Sequence, residues 1–135
     1  MPDVPVTSIL VIASTSTAAN ADSNMFIEVL IPQVAGSEAA LPGPQGSTQV
    51  VTIPASGTKT MSQITPADIT ISTEPPNQGN AWLPSAFYVL GKGDSSDYEV
   101  ICAIPEWPTD VWLSEDPNDP NSFPAISLDQ VLSHV

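Results

Sequence analysis

The chain has 135 residues, fifteen of them acidic and only two basic, Lys59 and Lys92, for a formal net charge of −13 at pH 7. This excludes a nucleic-acid binder, whose affinity comes from Lys and Arg displacing counterions along a phosphate backbone. An anionic membrane surface repels such a chain unless a divalent cation bridges the two.

The length is one domain's worth and can bury a core without a disulfide or metal staple. Cys102 is the lone cysteine, so no intrachain disulfide can form. Met1-Pro2-Asp3-Val4 has no positive region, and the apolar run Ile9 to Ala13 is too short for a signal core or a membrane span. The chain therefore reads as soluble, cytoplasmic or exported without a recognisable signal peptide.

Alternation and turn residues predict strands over 6–14, 24–31, 48–54, 68–73, 83–91, 98–104 and 110–114. In the first, Thr7 to Ser14 is apolar on both faces, as is Phe87 to Leu90 in the fifth; such segments are central strands or surfaces covered by a partner. In the second, Met25, Ile27, Val29 and Ile31 share one face and Glu28 lies on the other, the pattern of a half-buried strand. Ile69 and Ile71 do the same in the fourth. In the sixth, Cys102 falls on the face of Val100 and Ile104 and reads as a small buried hydrophobe. Pro32, Pro54, Pro66, Pro84, Pro105 and Pro108 stand near strand ends, where a missing N–H does least harm. Seven short strands predict a mainly β, single-domain antiparallel β-sandwich spanning residues 1–135.

The C-terminus supports two readings. Ser127 and Gln130 fit a capping box ahead of Leu128, Val131, Leu132 and Val135 at helical spacing. Ile126, Leu128 and Leu132 can equally share a strand face, and so short a segment gains little helical stability alone.

Oxygen donors are densest in the loop 114–122, where Glu115, Asp116, Asn118, Asp119 and Asn121 could supply several calcium ligands. The glycine-centred spacing of an EF-hand is missing, and Pro117 and Pro120 stiffen the loop, so a solvated acidic turn is the simpler reading. Gly91 to Asp97 raises the same question but is more simply a hairpin connection. Trp82, Trp107 and Trp112 offer flat apolar platforms near Asp and Asn, the chemistry of a sugar-binding face, or else they fill the core between two sheets; exposure decides. Enzymatic chemistry finds little support. His134, the only histidine, adjoins the C-terminus, and neither a phosphate-binding glycine loop nor a nucleophile elbow is present.

The run Ala21-Asp22-Ser23-Asn24-Met25-Phe26-Ile27-Glu28-Val29, entered from the strand and turn Ile9 to Ala19, resembles the opening of a PLAT domain. Ala81-Trp82-Leu83 leading to Phe87-Tyr88-Val89 is similar to the tryptophan-bearing strand late in such modules. Asn20 and Ala21 stand where the family commonly has glycine and threonine. The resemblance implies a β-sandwich and a non-catalytic module that in some members uses calcium to approach lipid or a partner protein. Asp22 and Asn24 are the positions that match the calcium ligands.

The expected function is thus a non-enzymatic binding module for a lipid, a membrane surface or a protein, with Asp22, Asn24, Asp116 and Asp119 as candidate calcium ligands. One alternative is a lectin-like domain contacting a glycan through Trp82, Trp107 and Trp112. Another is a structural subunit assembling through its apolar strands as a homo-oligomer.

Overall fold

The computed structural model describes residues 3–23, 26–73, 81–114 and 119–135. Its first strand, β1 (Ser8–Thr15), lies between β4 (Thr48–Pro54) and β7 (Pro84–Lys92), antiparallel to both. The strand β8 (Glu99–Ile104) continues the sheet beyond β7, giving the order β4-β1-β7-β8. The second sheet has the order β11-β5-β2-β3, from β2 (Ile27–Ile31), β3 (Ala35–Ala39), β5 (Thr70–Thr73) and β11 (Ala125–Ser127). A small third sheet joins β6 (Ala81–Trp82), β9 (Trp112–Ser114) and β10 (Ser122–Phe123); its β9–β10 pair is parallel and its β6–β9 pair antiparallel.

Period-two patterning explains which faces meet. Ile9, Val11 and Ala13 of β1 and Phe87 and Val89 of β7 share one hydrophobic cluster with Ile27, Val29 and Ile31 of β2 and Ile71 of β5. The chain is a β-sandwich, as its alternation predicts. Met25 lies outside the described residues.

The short strand β3 was absent from the sequence reading, because Ala35-Gly36-Ser37-Glu38-Ala39 has weak strand propensity; it forms because β2 templates it across a tight turn, in which Val34 N–H donates to Ile31 O at 2.9 Å. The predicted strand 68–73 begins later. Residues Pro66–Asp68 form a 3-10 turn instead, which Asp68 stabilises by accepting from Thr65 N at 2.9 Å.

Val100 does not share the face of Cys102. A register shift opposite Val89 and Leu90 inserts Ile101 as an extra residue, so Cys102 is 4% exposed and Val100 58% exposed; a bulge of this kind reverses the parity of everything before it. Ile101 turns inward over Gly91, where a side chain would meet its Cδ1 at 2.9 Å.

At the C-terminus the helical reading holds from Leu128 on, and of the residues in the strand reading only Ile126 lies in a strand. β11 pairs Ile126 with Ile71, and α1 (Leu128–Ser133) follows, with Ser127 N–H donating to Gln130 Oε1 at 3.1 Å. Leu128 and Val131 enter the core while Leu132 stays 38% exposed.

The two outer faces differ. On the second sheet, Glu28 stands directly opposite Glu38. On the first, two rows cross all four strands: Val50, Ile12, Tyr88 and Ala103 in one, Thr52, Leu10, Leu90 and Val100 in the next. Neither row carries a charge.

A candidate binding end of the sandwich

Strand directions put the loops 16–23, 40–47, 105–111 and 119–121 at one end of the sandwich, and those at 32–34, 55–69 and 93–98 at the other. The loop after β1 is the most firmly stapled of the first group. Ser16 N–H donates to Leu83 O at 2.9 Å, Leu83 N–H to Ala21 O at 3.1 Å, and Gln45 Nε2 to Ala18 O at 3.0 Å. Asn20 bends this loop at φ 63°. Asparagine is among the few side chains that enter the left-handed region at modest cost. Ala21 is fully buried, and the chain then surfaces at Asp22.

Phe26 follows, 47% exposed at the foot of β2. Its exposure has a signal in the sequence: Phe26 shares the outward parity of Glu28, opposite to Ile27 and Val29.

Asp119 is exposed at the same end. Its Oδ1 accepts from Asn121 N at 2.9 Å and its carbonyl from Ser122 N at 3.1 Å, the work of a polar turn. Asn121 O then accepts from Trp112 N at 2.8 Å. Asn24 and Asp116 lie outside the described residues. Among the described residues no three His, Cys, Asp or Glu side chains converge in the manner of a metal site. At this end Thr73 is 5% exposed, with its Oγ1 buried and unpartnered.

Two of the three tryptophans are core. Trp82 is 0% exposed, and its indole Nε1–H donates to Thr15 Oγ1 at 2.9 Å. Trp107 is 5% exposed; its Nε1–H donates to Val111 O at 2.9 Å, and its ring meets Phe87 at a centroid distance of 5.8 Å. A sugar platform needs an open ring face, so the expectation that Trp82 and Trp107 contact a glycan is corrected. Burying the largest apolar side chains, with each N–H satisfied, is the stronger use of them. Trp112 is half-buried and packs against the same core.

Cys102 faces the core, and desolvation pushes its thiol pKa up, away from the reactive thiolate. His134 meets Asp110, Nδ1 to Oδ2 at 3.5 Å, and stands edge-on to Phe123 at 5.8 Å.

The opposite end holds two open clefts, of about 200 and 360 Å³, the larger lined by Asp3, Met61, Ser62, Ile64 and the start of β8. There Asp3 accepts from Thr60 Oγ1 at 2.6 Å, from Ser62 N at 3.1 Å and from Ser62 Oγ. These bonds, the Ser62 hydroxyl foremost, hold its carboxyl below the ordinary carboxylate value.

No protein-family model matches the sequence, and no curated protein does. Among solved structures the chain is similar to an alpha toxin from Clostridium absonum, with a TM-score of 0.57 and 18% identity over 95% of this chain. The likeness is one of fold. It supports a β-sandwich fold, and this chain spans 32% of the toxin's length. No helix among the described residues is long and apolar enough to cross a membrane.

Proposed function

We propose that this chain is a non-enzymatic binding module that engages a lipid surface through the end of the sandwich bearing Asp22, Phe26 and Asp119. The observation that carries this reading is the exposed Phe26 in the same loop as Asp22: an apolar side chain free to insert beside a carboxylate free to take a cation. The PLAT-like fold supports it.

Charge sets the conditions. At −13 the chain is repelled by anionic lipid, so contact with such a surface needs a bridging divalent ion. Calcium fits hard oxygen donors; Asp22 and Asp119, with Asn24 and Asp116, are the residues that would hold it. Three carboxylates and one amide fall short of the roughly six to eight oxygens calcium takes, so occupancy at millimolar rather than micromolar calcium is the expectation.

Co-sedimentation with phosphatidylserine-containing vesicles, with and without calcium, tests the proposal. Binding should require calcium and should fall for Phe26→Ala and for Asp22→Ala. Absence of binding under both conditions refutes the lipid reading. A melting temperature unmoved by calcium refutes the calcium part separately, because a ligand of the folded state must raise it.

A further inference from the structure

The first sheet ends in the edge strand β8, and beside the start of β8 lies the larger of the two clefts, at the end of the sandwich away from Asp22 and Phe26. We infer that β8 takes up an extended segment of another protein as a fifth strand, with a lysine or arginine of that segment seated in the cleft that Asp3 and Glu99 line.

The backbone offers the edge. β8 is last in the order β4-β1-β7-β8, and among the described residues no main-chain bond of residues 99–104 runs outside its ladder with β7. Glu99–Ile104 contains neither lysine nor proline, two residues that commonly blunt an edge. The bulge at Ile101 twists the strand and divides it, so the added ladder is short. Main-chain pairing gives such a complex its affinity, and pockets beside the strand give it selectivity.

The cleft is that pocket. Glu99 stands opposite Gly91, on the row of Phe87 and Val89 that faces the core. Ile101 and Met61 both close over Gly91, so they lie on the same side of the sheet as Glu99. The cleft of about 360 Å³ thus has an apolar floor, with Asp3 on one wall and Glu99 on the other. Asp3 is held still: Thr60 Oγ1 and Ser62 Oγ donate to its Oδ2 and Ser62 N–H to its Oδ1, which keeps one acceptor position on Oδ1 open. Glu99 is exposed and has neither hydrogen bond nor ion pair among the described residues. An alkyl stem ending in a cation matches both parts, its methylenes over Met61 and Ile101 and its charge toward the carboxylates.

The chain does not supply that cation itself. Of its two basic residues, Lys92 lies over the Tyr98 ring, 5.4 Å from the centroid, and Lys59 interacts electrostatically with Asp68. A net charge of −13 repels a second copy and draws a basic segment in. On the other side of β8, Val100 is 58% exposed and would gain a cross-strand neighbour, which favours a β-branched residue next to the basic one.

Amide NMR shifts of the full chain, without calcium or vesicles, test the inference during titration with a short capped peptide of alternating valine and threonine around one central arginine. The expected dissociation constant is about 0.1–1 mM, with the shifts at Ser62 and along β8. Citrulline in place of arginine keeps the shape and drops the charge, and should weaken binding about tenfold. Glu99→Gln should do the same, and its exposed, unbonded side chain leaves the fold intact, which circular dichroism melts check. Glu28→Gln removes an equal charge from the other sheet and should leave the affinity unchanged. Methylating alternate backbone nitrogens of the peptide removes main-chain donors and should abolish binding. No shift at about 1 mM peptide, equal affinity for the citrulline peptide, or an equal effect of Glu99→Gln and Glu28→Gln overturns the proposal, the last by showing general attraction to the net charge. So does undiminished binding of the methylated peptide, which would make the cleft a site for a free organic cation.

Discussion

Replacing Thr15 by valine isolates one hydrogen bond on which the junction of two sheets depends. Thr15 is 1% exposed, and its Oγ1 accepts from the Trp82 indole at 2.9 Å and from Gly43 N at 3.3 Å. Valine has nearly the same shape, so no cavity opens and the change is electrostatic. The indole N–H is left unpaired in a dry interior, which costs about 1–3 kcal/mol. Gly43 N–H is only part-buried and can turn to water, adding little. A loss near 2 kcal/mol corresponds to a melting temperature about 7 °C lower for a chain of this length. Urea denaturation followed by tryptophan fluorescence or circular dichroism reads it directly, provided the slope with urea is unchanged. Trp82→Phe supplies the partner for a double-mutant cycle. With no indole to orphan, Thr15→Val should cost below about 0.5 kcal/mol in that background, a coupling of about 1.5 kcal/mol. Equal costs in both backgrounds would refute the reasoning and show that Thr15 matters for its backbone rather than its hydroxyl.

Two further substitutions follow from the other end of the sandwich. Gly91→Ala should cost about 1–3 kcal/mol by overpacking, because the added methyl meets Ile101 Cδ1 at 2.9 Å, Met61 Sδ at 3.1 Å and Val6 Cγ1 at 3.2 Å; an unchanged urea midpoint would show that the bulge relaxes freely. Ser62→Ala should raise the Asp3 pKa toward its ordinary value of 3.8, read by NMR titration of that side chain, since the Ser62 hydroxyl is the largest cause of its depression. The sign is that of a lowered carboxylate: its contribution to stability is present above the unfolded value and is lost as pH falls through the folded one. An Asp3 pKa unmoved by the substitution would show that the backbone N–H and Thr60 carry the effect.

Local pattern was enough for the body of the fold. Apolar–polar alternation in β2 and β5 settles which side chains face inward, because a strand sends successive residues to opposite sides and burial pays only on one, whereas β1 and β7, apolar on both faces, leave that choice to the sheet. Ser127 and Gln130 offered α1 in the same local way, beside a strand reading that local pattern did not exclude. What pattern could not reach depends on a neighbour distant in the chain. β3 is weakly strand-like by itself and exists because β2 offers it a ladder. Val100 is turned outward by a bulge that only the pairing with β7 defines.

The site divides along the same line. Sequence alone established the paucity of cations, the lone cysteine and the acidic loops, since these are properties of composition that folding cannot alter. The fates of Trp82 and Trp107, both rich in apolar surface and both flanked by ambiguous turns, were left to packing, and packing drew them into the core. Tertiary structure likewise decided that Asp22, Phe26 and Asp119 share one end and that Leu10, Ile12, Tyr88 and Leu90 make one continuous face. Exposure and adjacency are set by which strands lie side by side, and that order belongs to the folded chain as a whole.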